Sequence, residues 1–194
     1  MTSGKESADG WRITWENIPV GLRKRIKALV CDGYPNLVHL AKREKLLVQR
    51  CHFHLIASIK NYVTAGPLNR SGSLGQLVLN ATQIAINTPD EHKLESALEE
   101  IWMLIKIAKS KKLKARLRGL LRDIDDFRTY RTYPELNLPT TSNTAESLVQ
   151  YVRDLMYKAR GFRTADSFMR WVKALCLVKK TMICNGKNQP IKYF

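Results

Sequence analysis

Two carboxylates in this chain close segments whose spacing suits chemistry on phosphate. Asp32 ends the apolar run Ile26-Lys27-Ala28-Leu29-Val30-Cys31-Asp32, and Gly33 follows it. Glu146 opens an amphipathic stretch, Ser142-Asn143-Thr144-Ala145-Glu146-Ser147-Leu148. Divalent cations such as Mg²⁺ prefer oxygen ligands. Carboxylates on a strand end and on a helix could hold them jointly for phosphoryl transfer. Each acid also has a structural use. Asp32 fits an Asx turn or the cap of a following helix. Asn143 with Glu146 three residues on fits a capping box. Between the acids lies Cys51-His52-Phe53-His54. Cys51-x-x-His54 has the spacing of half a zinc site, but no second Cys/His pair accompanies it. A thiol and imidazole buttressing the strand, or an ordinary buried Cys with a satisfied His, are the readings that remain.

These residues need elements to position them. Residues 26–32 are rich in Ile, Leu and Val and end at Asp-Gly, which predicts a buried strand. Residues 35–45 predict a helix, and Leu46-Leu47-Val48-Gln49-Arg50 a second strand, so the segment reads as a parallel α/β unit. Asp32 would then sit at a strand's carboxyl end, where α/β folds place ligands. Upstream, residues 11–25 predict a helix interrupted or ended near Pro19. Downstream, helices are expected over 54–63, 74–87, 91–109, 109–122, 143–159 and 164–184. A loop is expected from Gly66-Pro67 to Gly75, and Pro89-Asp90 divides two of the helices. Residues 129–141, with Pro134 and Pro139 and few periodic apolars, are expected to be a linker.

Lys and Arg number 33 against 17 Asp and Glu, a formal charge of +16 over 194 residues. That excess points to a polyanionic partner, nucleic acid before membrane, because the basic residues are spread along the chain. Lys109, Lys111, Lys112, Lys114, Arg116, Arg118 and Arg122 crowd one predicted helix, with Asp123-Ile124-Asp125-Asp126 as an acidic counterpoint. Arg160, Arg163 and Arg170 follow the Glu146 helix, and Tyr130, Arg131 and Tyr133 mix aromatic and basic groups. Such charges would contact phosphates without reading sequence. A solvated helix face is the alternative. No apolar run approaches the ~18–20 residues of a membrane span, and the first ten residues have no apolar leader. A cytoplasmic location is expected, nucleoid-associated in a bacterium. Cys31, Cys51, Cys176 and Cys184 are expected to be reduced thiols.

Taken together, the motifs form an ordered series. Asp32-Gly33 follows a buried strand; Gln49-Arg50-Cys51-His52-Phe53-His54 follows the next. A helical block comes after, then Ser142-Asn143-Thr144-Ala145-Glu146-Ser147 and Arg160-Gly161-Phe162. The series resembles the catalytic region of Mutator-like transposases and their bacterial insertion-sequence relatives, over roughly residues 11–185. The resemblance implies an α/β, mostly helical fold: a truncated RNase H-like core with an all-α insertion before the last catalytic helix. It divides the chain into a partial core at 1–55, a helical insertion at 56–127, and a linker with the returning helices at 128–194. It implies Asp32 and Glu146 as catalytic, metal-holding carboxylates, with Cys51 and His54 supporting them. It also implies Mg²⁺ or Mn²⁺, DNA as partner (transposon ends and target), and self-association of the intact enzyme. The family's first catalytic Asp has no counterpart here. Asp9 lies in a polar stretch without a strand pattern and does not inherit that role. The expectation is therefore a transposase fragment that lacks strand-transfer activity alone. The other reading is a non-enzymatic basic helical DNA-binding protein.

Overall fold

The computed structural model describes residues 7–64 and 72–158, with 164, 166–168, 170 and 171. In chain order it runs α1 (Ala8–Glu16), α2 (Val20–Arg23), β1 (Ala28–Cys31), α3 (Pro35–Arg43), β2 (Leu47–Arg50) and α4 (His52–Thr64). It continues with α5 (Gly72–Asn87), α6 (Glu91–Ile107), α7 (Lys111–Arg122), α8 (Ile124–Thr132), a 3-10 turn at Pro134–Leu136, and α9 (Asn143–Lys158). The chain divides into two compact units: Val20–Thr141, and Met1–Pro19 with Ser142–Phe194. The described part is mostly helical with a small parallel sheet.

Within Val20–Thr141, β1 and β2 pair in parallel, Ala28 opposite Leu47 and Cys31 opposite Arg50. The crossover between them is α3, which opens on Pro35, whose missing N–H costs nothing at a helix start. It closes in a Schellman motif: the Leu46 amide donates to Ala41 O at 2.8 Å and the Lys45 amide to Lys42 O at 3.2 Å. That motif wants glycine in the left-handed position, yet Lys45 holds it at φ 57. Cys31, Ala41 and Val48 are buried here, with Leu29, Leu37, Val38 and Leu46 packed around them.

The main core belongs to the helices. Ile59 of α4, Val78 and Ala85 of α5, Ile101 and Ile105 of α6, Leu113 and Leu117 of α7, and Phe127 of α8 form one buried cluster. Capping residues fix the starts. Asp90 accepts from the Lys93 amide at 3.1 Å and Ser110 from the Leu113 amide at 3.2 Å. The basic helix therefore begins at Lys111, after its Ser110 cap, and Lys109 lies outside it. α4 starts two residues before the expected His54, and α5 starts at Gly72, inside the expected loop. Residues 66–71 of that loop fall outside the described residues.

One element differs in kind. Residues 124–132, partly assigned to a linker, form α8, with Phe127, Arg128 and Thr129 buried. Apart from Phe127 and Ile124 at the apolar core, its attachment is polar, so apolar periodicity does not reveal it. Arg128 Nη1 donates to Ala85 O and Thr88 O, both at 2.9 Å. Tyr130 Oη donates to Ile86 O, and Arg131 Nη2 to Asn87 O. These bonds satisfy the carbonyls that the end of α5 leaves unpaired. Tyr130 and Arg131, read in the sequence as nucleic-acid contacts, are engaged here instead.

In the other unit, α1 is capped by Ser7 and closes at Asn17 ahead of Pro19. α9 carries Glu146 in its first turn. The expected turn at 160–163 lies outside the described residues, as does most of the expected helix 164–184. No helix among the described residues is long and apolar enough to cross a membrane.

Candidate functional site

The carboxyl end of the sheet gathers the chemistry in Val20–Thr141. The Cys51 amide donates to Cys31 O at 2.7 Å, so the chain leaves both strands at one level. Asp32 stands there exposed, and its Oδ1 accepts from the Tyr34 amide at 2.9 Å. This is an Asx turn, the structural role open to it in the sequence, and it leaves the other carboxylate oxygen for other partners. Gly33 follows at φ +91. A Cβ at Gly33 would stand 2.7 Å from Cζ of Arg50 and nearer still to its Nη2. Glycine is thus needed twice, for the backbone conformation and for the guanidinium lying against it.

Arg50, the last residue of β2, is held on three sides. Its Nη1 donates to Asp123 Oδ2 at 2.8 Å, and its Cζ sits 4.6 Å from the centre of the Phe127 ring. Gly33 closes the third side. Asp123 also accepts from Arg122 Nε and Nη2, each at 2.8 Å. The Arg122 hydrogen bonds, with the charges of Arg122, Arg50 and Lys42, hold the Asp123 carboxyl below its ordinary range despite partial burial. Gln49, fully buried, ties the same strand to α8. Its Nε2 donates to Phe127 O at 3.0 Å and its Oε1 accepts from the Tyr130 amide at 2.8 Å.

A cavity of about 300 Å³ opens at this point, lined by Asp32, Gly33, Arg50, His54, Ser58 and Arg116 among others. A larger one of about 690 Å³ shares Gly33, Arg50, Arg116 and Phe127 with it and adds Lys42, Lys112 and Asp126. Lys42 Nζ lies 3.4 Å from Asp126 Oδ2. Lys112 and Arg116, one helical turn apart on α7, make no ion pair or hydrogen bond with any described residue.

The structure brings Asp32 and His54 onto one cavity lining. Cys51 is buried, 1% exposed, and is not part of a disulfide. His52 is the imidazole the sequence reading passed over. It is buried, and its Nε2 donates to Phe127 O at 2.7 Å as the neutral tautomer. Burial holds its pKa below 6.5, against the opposing pull of that hydrogen bond. Arg50, Asp123 and Phe127 were also missed. A charged residue ending an apolar strand and the first acid after a basic helix were the available signals.

Glu146 belongs to the other unit. It is exposed, and its Oε1 accepts from Ser142 Oγ at 2.5 Å, a local contact at the start of α9. The residue before that helix is Ser142, not Asn143. Lys109, Lys111, Lys112, Arg116 and Arg118 are exposed, and Lys114 Nζ reaches Lys106 O at 3.5 Å. Arg160 and Arg163 lie outside the described residues. No group of three or more His, Cys, Asp or Glu among the described residues is gathered so as to hold a metal ion. Asp32 shares its cavity with cations, so these residues alone do not fit Mg²⁺, which needs several oxygen ligands. Compared with protein-family models, with curated proteins and with solved structures, the chain gives no match.

Proposed function

We propose that this chain carries part of the catalytic region of a DDE transposase, acting in DNA transposition, with its β–α–β segment belonging to an RNase H-like core. One observation carries the reading. Asp32 stands exposed at the carboxyl end of a parallel strand, on a cavity that also holds His54 and two arginines. Open α/β sheets bind ligands at that end. On this reading Asp32 and Glu146 are metal ligands, Mg²⁺ is the cofactor, and further carboxylates must join them. No catalytic step is assigned to the chain by itself, and it is expected to lack strand-transfer activity.

The test is Mn²⁺ titration of the full chain, following paramagnetic broadening of assigned NMR signals. Signals of Asp32 and Glu146 should broaden at the same low Mn²⁺ concentration, and both effects should vanish in Asp32→Asn. Broadening at one acid only, or at neither, sinks the metal assignment. Metal-dependent nicking of plasmid DNA that disappears in Asp32→Asn would refute the incompleteness.

A second reading, DNA binding without chemistry, is favoured by α7. Lys111 and Lys112 occupy its first turn, which holds no acid. Cations at a helix's positive end are unfavourable by about 0.3–1 kcal/mol each, and a bound polyanion offsets that. Affinity for duplex DNA should then fall steeply with salt. Flat salt dependence excludes it.

A further inference from the structure

The smaller cavity beside Asp32 has a lining that the carboxylate reading leaves unused. The Arg50 guanidinium has five N–H donors. Nη1 is committed to Asp123, and Nε is buried with no acceptor. Nη2 makes no hydrogen bond among the described residues. Arg116 contributes a second guanidinium to the same lining, exposed and without an ion pair. Ser58 Oγ donates to Leu55 O at 2.7 Å, which leaves its oxygen as an acceptor only. Asp32 is the sole carboxylate among the described lining residues, against these two cations. The forked donors of arginine match tetrahedral oxyanions in a way a point charge does not.

We propose that this cavity is a phosphate site, in which Arg116 and the free edge of Arg50 grip one phosphate group. That the phosphate belongs to a DNA backbone rests on the transposase reading; the recognition chemistry does not. The site differs from a diffuse basic face in one respect: it depends on two particular arginines on different elements, β2 and α7, and on the glycine that lets one of them lie flat.

The experiment is isothermal titration of the full chain at low salt, with inorganic phosphate in one arm. The other arm uses a short single-stranded oligonucleotide without terminal phosphates. Arg116→Ala and Arg50→Lys should each weaken binding about tenfold or more, as expected for loss of charged hydrogen bonds. Arg118→Ala removes the same charge from the same helix, outside both linings, and should change affinity less than twofold. If both ligands respond to Arg116→Ala, the site takes a nucleic-acid backbone. If inorganic phosphate alone responds, it takes a free anion. Equal losses in Arg116→Ala and Arg118→Ala, or no loss in Arg116→Ala, overturn the site. Arg116 is exposed, so that variant carries the test should Arg50→Lys melt early. Asp32→Asn separates this site from the metal reading: it should abolish the Mn²⁺ response while leaving phosphate affinity equal or higher.

Discussion

The α/β segment and the helical block of Val20–Thr141 are held together in different ways. The block has a continuous apolar core from Leu55 to Phe127. The apolar cluster of the α/β segment is only Cys31, Ala41 and Val48, with the amide of Gln49 buried beside it. It is anchored by directional bonds: Gln49 to Phe127 O, Thr129 Oγ1 to Val48 O, and Arg50 to Asp123. The contrast teaches where stability and chemistry reside. The block buries most of the apolar core, while the thin segment holds Asp32, Gly33 and Arg50 in place through polar bonds, whose net contribution to stability is modest.

Truncation tests that difference most strongly. Ile101→Ala, in the block, should cost about 2–5 kcal/mol in urea unfolding. Val48→Ala, in the segment, should cost only about 1–2 kcal/mol. Equal costs would mean one undivided core. Gly33→Ala comes next, at about 1–3 kcal/mol for a non-glycine residue in that conformation. It should also displace Arg50, seen as a changed Nε–H signal in NMR, whereas an unmoved signal would dissociate Gly33 from Arg50. Lys45→Gly should stabilise by about 0.5–1 kcal/mol by relieving the left-handed position; a loss would mean that the Lys45 side chain contributes more than its backbone costs.

The finest distinction is a slope against pH. His52 has its pKa held below 6.5 by burial. The unfolded chain therefore takes up the proton first as pH falls. Stability is full above 6.5 and declines from there toward the lower folded value. The urea midpoint should fall between pH 7.5 and 5.5, and His52→Gln should flatten that fall. An unchanged slope would place the titration elsewhere.

Much of this was legible in the sequence, and for identifiable reasons. β1, α3 and β2 announced themselves through apolar runs broken at Asp32-Gly33, and α6 through its three- and four-residue steps. Pro89-Asp90 marked its start. What stayed hidden depends on partners distant in the chain. α8 is attached by Arg128, Thr129 and Tyr130 to carbonyls of other elements, and no local period encodes that. The Cys51-x-x-His54 spacing singled out His54 and passed over His52, which the fold sends to Phe127 O while His54 lines the cavity. At the candidate site Asp32 and His54 could be named, but Arg50 could not, because its place is fixed by Gly33, Asp123 and Phe127 from separate elements.

The bonds joining β2 to α8 span about 80 positions of chain, Gln49 to Phe127 at a separation of 78 and Thr129 to Val48 at 81. Such closure is entropically slow until the intervening chain is compact. The expected order of assembly is that α4 to α7 collapse first, α8 docks on α5, and β2, paired locally with β1, docks on α8 last. Amide exchange from Val48 to Arg50 should accordingly track opening of the α8 attachment. The pocket at Asp32 would be the last feature of this unit to form and the first to be lost.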